Sequence, residues 1–320
     1  MSYLVVMPKD KEIIDKDTGR KYTVEPKTFY NNYKKQKKLP VVIYADFECN
    51  LEPFVYEDKS KLIKKKHDIQ NKVGVLAKHC PNTYRIHIES SVELGIPLDY
   101  EYSGENVDLH FIDLLINKLE KQIMTKLNAC CEKHQKPVLT KQEESEFQKS
   151  DMCIFCSKKV NKSEKVRDHD HFTGKYEGCA HSKCNIKAHQ MFKNKINIPV
   201  VFHNANYDIK CFISAFQKIV SEDCFVKNIG GIACNMEIYK SININNFTII
   251  DSYAHLTSSL DTLIKNLPDS KKTLLRTISK NDEEFDLIKK KGFYPYEMIT
   301  SSKMLYLPIE ELKKEHFDNK

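Results

Sequence analysis

The chain has 320 residues, of which 41% are hydrophobic, enough apolar material for one large domain or two modest ones and too much for a disordered chain. Lys and Arg number 51 against 44 Asp and Glu, a formal charge of +7 that suits a polyanionic partner without requiring one, since an ordinary Lys-rich surface gives the same balance. Only one group among the 11 cysteines has metal-ligand spacing, and no apolar run resembles a secretory leader or a bilayer span; a disulfide framework, secretion and membrane insertion are therefore not expected, and a nuclear or cytoplasmic protein is.

Residues 1–38 are polar and Lys-rich, closing on YNNYKKQKK, and read as a solvated arm. The run LPVVIYA at 39–45 is β-branched and nearly continuous, as in a central strand covered on both faces. Two weaker strands are expected at 72–78 and 83–89, the second with Tyr84, Ile86 and Ile88 on one face, together forming a hairpin. Between 106 and 131 Phe111, Leu115, Leu119 and Ile123 recur at helical spacing, the mark of a packing helix. A charged stretch, 132–150, leads into a cysteine-rich insert at 151–190. After it come a strand at 198–202, a helix at 207–219, strands at 224–229 and 232–239, and a strand at 247–250 ending at Asp251. Strands alternating with helices on either side of an insert predict an α/β domain, interrupted by a module with its own small core around a metal.

Two sets of residues carry chemistry. In Ala45-Asp46-Phe47-Glu48 the alternation of a strand puts both carboxylates on one face. Such a pair attracts hard divalent cations, and two Mg²⁺ or Mn²⁺ ions about 4 Å apart activate water and stabilise the leaving oxygen in phosphodiester hydrolysis. A solvent-facing strand would show the same letters. Asp208, in the first turn of the helix that follows strand 198–202, could supply a third carboxylate where strand ends meet, or could serve only the helix dipole. In the insert, Cys153-x-x-Cys156 and His181-x-x-Cys184 can close a tetrahedral site of three thiolates and one imidazole, the arrangement of structural zinc; Cys179 is an alternative to His181.

D-x-E after one strand and N-x-x-Y-D after another resemble the first two exonuclease motifs of proofreading DNA polymerases in the ribonuclease H-like superfamily. The resemblance implies that Asp46 and Glu48 bind the two metals, Asp208 completes their coordination and Asn204 positions the substrate strand. The third motif of that family, Tyr-x-x-x-Asp, is absent: no Tyr here has Asp four positions later. The run VRDHDHFTGKY at 166–176, with Asn185 after the last Cys, is similar to the recombination endonuclease VII branch of the HNH nucleases, in which zinc holds a ββα unit. There Asp168 and Asn185 would bind Mg²⁺, His169 would act as general base and His171 would assist at the phosphate; a module that only binds DNA is the alternative.

In this order, the D-F-E strand, DHDHFTGKYEGCAHSKCN, IPVVFHNANYD and IIDSYAHLTSSLDTL look like the N-terminal exonuclease region of the protein-primed family B DNA polymerases of Maverick (Polinton) elements and related viruses. Lys291 to Glu297 (KGFYPYE) adds to the likeness. The implied organisation is a polar arm at 1–38, a ribonuclease H-like 3′–5′ exonuclease domain (a mixed sheet flanked by helices) at 39–150 and 191–267, a zinc-binding endonuclease VII-like insert at 151–190, and a segment at 268–320 leading towards a polymerase domain. DNA is the implied partner, with a separate polymerase chain as a second, and structural Zn with catalytic Mg or Mn are the implied metals. Three features depart from the family: Glu177 stands where Arg is usual, the second exonuclease motif is one residue shorter than the common form, and the polymerase carboxylates are not among these residues. The expected function is a DNA exonuclease region lacking its third motif. The alternatives are a zinc-containing DNA-binding module without catalysis and an HNH endonuclease acting through the insert.

Overall fold

The structure, a computed structural model, describes residues 11–14, 21–24, 38–53, 77–134, 136–194, 196–220, 228–234, 239–292, 299 and 305. It divides into two compact units: Met1–Leu39 with Cys130–Ile196, and Pro40–Ala129 with Asn197–Lys320. The smaller unit thus takes in residues before 151 that the sequence placed in the exonuclease domain.

Eleven strands are described. β1 (Lys11–Ile14) and β2 (Lys21–Val24) form a two-stranded antiparallel pair. Part of the expected solvated arm is therefore regular structure, as its Ile, Tyr, Thr and Val residues favour. In the larger unit β3 (Val41–Pro53), β4 (Ala77–Ser90), β5 (Asp99–Ser103), β8 (Ile198–Phe202), β9 (Ile229–Ala233), β10 (Tyr239–Ile244) and β11 (Phe247–Asp251) build one mixed sheet in the order β5-β4-β3-β8-β11-β10-β9. β3, β8 and β11 run parallel to their neighbours in this central part, whereas β4 is antiparallel to both β3 and β5.

Instead of pairing 72–78 with 83–89, the chain runs through as the single strand β4, paired along its length with β3. Residues 72–76 lie outside the described set. Pro81 and Asn82, which read as a turn, sit at a bulge where the register shifts between Glu48 and Cys49, one of the few places in a sheet that accepts proline. The expected strand at 232–239 is also different: β9 ends at Ala233 and β10 begins at Tyr239, while 224–227 and 235–238 lie outside the described residues.

Helix α1 (Val107–Asp113) passes through a π-helical stretch, Leu114–Leu119, into α2 (Glu120–Lys133), and Phe111, Leu115, Leu119 and Ile123 are all buried as their spacing predicts. α5 (Ala205–Val220) follows β8. Phe212 of α5, Phe111 of α1 and Phe47 of β3 meet with ring centroids 4.9–5.7 Å apart, so both helices are anchored to the sheet face opposite Asp46. α6 (Leu260–Asn266), α7 (Thr273–Ile278) and α8 (Asp282–Ile288) complete this unit's described helices.

In the smaller unit α3 (Lys141–Lys149) opens with a capping box, Thr140 Oγ1 accepting from the Glu143 N–H at 3.2 Å while Glu143 Oε2 accepts from the Thr140 N–H at 2.8 Å. Its Phe147 is buried with Cys153, Phe155, Val160, Cys179, Ala180 and Ala188. β6 (Lys165–His169) and β7 (Tyr176–His181) form an antiparallel hairpin and run directly into α4 (Ser182–Asn194). Residues 132–150 are therefore part of this core, supplied by Phe147. Among the described residues no helix is long and apolar enough to cross a membrane.

Candidate functional site

In the larger unit the alternation along β3 buries Ile43, Ala45, Phe47 and Cys49 and turns Tyr44, Asp46 and Glu48 to the other face. β3 pairs with β8 only at Ile43 and Tyr44, so the two strands part beyond that point and the backbone of Phe47 lacks a β8 partner. The Phe47 N–H donates to Asp208 Oδ1 at 3.2 Å, a bond that draws the start of α5 against β3. Asp208 is 3% exposed. Burial, then the Asp46 charge, push its carboxyl up to about 8, against the Phe47 N–H, which favours the anion. Asp46 is raised too, by burial, with the Phe47 N–H, His203 and Lys291 working in the other direction. Asp208, whose ionisation is disfavoured by burial and by the Asp46 charge, thus stands beside a second raised carboxyl, a place that a cation would stabilise.

A cleft of about 390 Å³ opens beside Asp46, lined also by Tyr44, Arg85, His203, Leu256 and Leu260. His203 is fixed at both ring nitrogens, Nδ1 to Ser252 Oγ at 2.9 Å and Nε2 to the Ser258 carbonyl at 2.8 Å. Asn204 has φ 69°, a left-handed conformation that Asn tolerates, and its N–H donates to Asp251 Oδ1 at 2.9 Å. The same Asp251 oxygen accepts from the Tyr253 N–H at 2.8 Å, so Asp251 caps the turn after β11. Tyr207 is tied to His79, a residue the sequence did not single out, by a 2.8 Å bond between its hydroxyl and Nδ1. The structure thus brings Asp46 and Asp208 together and keeps Glu48 half-buried on the Asp46 face. Asp46, Glu48 and Asp208 do not close to mutual ligand distance: among the described residues the one group whose ligand atoms all lie within 4.8 Å of each other is elsewhere.

That group is Cys153, Cys156, His181 and Cys184 in the smaller unit, which could hold a metal ion. The Cys153–Cys156 turn ends at Ser157 with φ 53°, and the Ser157 N–H returns to the Cys153 carbonyl at 2.8 Å. His181 comes from the end of β7 and Cys184 from the first turn of α4, so hairpin and helix both converge on the site. His181 Nε2 faces the Lys159 carbonyl at 3.1 Å, and Nδ1 lies 3.4 Å from Cys156 Sγ and 3.9 Å from Cys184 Sγ. A carbonyl can only accept, so Nε2 carries the proton and Nδ1 is left as the ligand atom. Burial works against the Cys153 thiolate, but the N–H groups of Cys156, His181 and Phe155 outweigh it and bring that thiol down to about 7. Cys184 is pushed up to about 12 by burial and by the neighbouring Cys153 and Cys156 thiolates. Cys179, the alternative ligand, lies outside the group and inside the apolar core.

On the same hairpin a bulge between Asp168 and His169 breaks the alternation and buries both, at 0% and 5% exposure. His169 Nε2 donates to the His134 carbonyl at 2.9 Å, leaving Nδ1 buried without a partner. Gly174, at φ 74°, closes the turn between β6 and β7, and a Cβ there would run into the His134 ring. Asp168 Oδ1 accepts from His189 Nε2 at 2.8 Å. His171 stacks on His189 at 3.9 Å and lies 4.7 Å from His169. Asn185 Oδ1 is buried and unpartnered. Asp168, His169, His171 and His189 therefore share one neighbourhood, of which His189 was missed; its position four residues after Asn185 on α4 was the available signal. No family model, no curated protein and no solved structure matches this chain.

Proposed function

We propose that the larger unit is a ribonuclease H-like 3′–5′ exonuclease domain acting on DNA, of the kind found N-terminal in protein-primed family B polymerases, with divalent cations held by Asp46, Glu48 and Asp208. The observation that carries it is topological. Taken in chain order, the strands β3, β4, β5, β8 and β11 stand side by side as 3-2-1-4-5 with only the second antiparallel. Asp46 and Glu48 lie on the central first strand, and Asp208 starts the helix after the fourth. Such an arrangement supports two-metal hydrolysis: a cation would offset the charge of Asp46 and Asp208, Asn204 follows the cleft residue His203, and Arg85 in the cleft lining would meet the phosphate. Magnesium would supply the activated water and neutralise the leaving oxygen.

The test is the shortening of single-stranded DNA labelled at its 5′ end. Stepwise, Mg²⁺-dependent loss of 3′ nucleotides is expected, slow because no Tyr-x-x-x-Asp is present, and reduced at least about 100-fold in Asp46→Ala, the scale of removing a ligand from a catalytic metal. Equal shortening by the Asp46→Ala variant would sink the proposal.

The donor set of the smaller unit suits zinc, three thiolates and an imidazole within 4.8 Å, and the order β6, β7, α4 supports reading it as a ββα zinc module. One observation favours a second reading, an HNH endonuclease. His169 is oriented by a carbonyl with its Nδ1 lone pair unpartnered, the state a general base requires. Internal nicks in branched DNA that disappear in His169→Ala and persist in Asp46→Ala would assign cleavage to this module; nicks that survive His169→Ala would refute it.

A further inference from the structure

Cys49 and Cys211 lie 162 residues apart in sequence, yet their sulfurs are 3.5 Å from each other in the larger unit. Cys49 follows Glu48 on β3 at the bulge and is 1% exposed, while Cys211 sits one turn after Asp208 on α5 and is half-buried. The Cys211 thiol is also aimed along its own helix, towards the Tyr207 carbonyl at 3.7 Å. We propose that these two cysteines are a redox modification site, joined reversibly as a disulfide that ties β3 to α5 beside the carboxylates. A disulfide needs sulfurs about 2.05 Å apart, so the two must close by about 1.5 Å from their present 3.5 Å. The bond would link the strand bearing Asp46 and Glu48 to the helix bearing Asp208 and so fix the spacing of the three.

The oxidant is a small-molecule disulfide, of which oxidised glutathione is the test reagent. The half-buried Cys211 sulfur, once its thiol proton has passed to solvent, attacks one glutathione sulfur, the glutathione S–S bond breaks, and one glutathione thiolate leaves. The adjacent Cys49 thiolate then attacks Cys211 Sγ and expels the second glutathione. Two electrons pass from the protein sulfurs to glutathione, whose two thiols take up the two protons.

The experiment incubates the full chain with oxidised glutathione, alkylates free thiols, digests without reduction and identifies linked peptides by mass spectrometry. The expected result is a Cys49–Cys211 peptide that dithiothreitol removes, with a rise in Tm on oxidation that Cys211→Ser does not show. The proposal is overturned if Cys49 and Cys211 are recovered separately alkylated, if Cys211 remains a glutathione adduct, or if Cys49 pairs instead with Cys80 on the neighbouring strand. The linked peptide is read from the unmodified sequence, so a variant that folds poorly does not remove the test. The outcome does not depend on nuclease activity.

Discussion

Stripping the metal from Cys153, Cys156, His181 and Cys184 is expected to unfold the smaller unit. Of the seven residues in its buried cluster two are alanine and two are cysteine, leaving Phe147, Phe155 and Val160 as the larger apolar side chains. With Leu139, Val166 and Tyr176 only partly buried against them, this is a small core of the kind that needs a metal to hold its fold, and the binding free energy of a structural zinc is folding free energy. Chelation, or Cys184→Ser, should therefore abolish amide-exchange protection over 151–189, while β3, β4 and β8, in the unit with its own Phe47–Phe111–Phe212 core, keep theirs. Retained protection after elemental analysis shows the metal gone would refute this. Affinity should also fall with pH, since the thiolates must be free of protons: Cys153, at about 7, takes up its proton as the solution is acidified past neutrality, and Cys184, held up near 12, must lose one at every working pH.

Asp208→Asn is expected to stabilise the zinc-loaded protein in alkaline, magnesium-free buffer. Burial first, and the Asp46 charge second, hold the Asp208 carboxyl near 8, above its ordinary 3.8. With the folded value the higher one, the group's contribution to stability is complete below the unfolded value and is lost as pH rises through about 8. Each unit of displacement is about 1.4 kcal/mol, so the ionised side chain costs on the order of 3 kcal/mol or more above pH 8. An amide oxygen can still accept the Phe47 N–H without that cost. The Tm of Asp208→Asn should exceed that of the wild type by roughly 5 °C or more at pH 8 to 9 in zinc-loaded, magnesium-free protein, and the gap should close as pH falls towards 4. Adding Mg²⁺ at pH 8 should raise the wild type and not the variant. Parallel Tm curves across the pH range would show that Asp208 does not carry this burden.

The parts of this molecule legible in sequence are those set by local periodicity. Alternation placed Asp46 and Glu48 on one strand face, and the spacing of Phe111, Leu115, Leu119 and Ile123 gave a helix whose inward side is buried as expected. Two C/H-x-x-C pairs identified the metal-ligand group because each pair is local and its donor types leave few other uses. What failed depended on long-range pairing or on backbone irregularity. Pro81 and Asn82 have turn chemistry, yet the register shift opposite Cys49 absorbs them within one strand. The buried pair Asp168 and His169 breaks alternation because of a bulge, and His189 meets Asp168 only once α4 folds back on the hairpin. The capping box of Thr140 and Glu143 was readable as T-x-x-E, and would have moved 132–150 from a charged connection to a helix carrying core residue Phe147.

The central claim is that Asp46, Glu48 and Asp208 take up a divalent cation, although their ligand atoms are not gathered to the spacing of the cysteine group. Mn²⁺ binding to the zinc-loaded chain, followed by electron paramagnetic resonance, tests this most directly. We predict bound Mn²⁺ in the wild type whose affinity falls at least about tenfold in Asp46→Ala, the usual minimum cost of disturbing a metal's coordination, and is unchanged in His169→Ala. No bound Mn²⁺, or binding that Asp46→Ala leaves intact, would contradict the account.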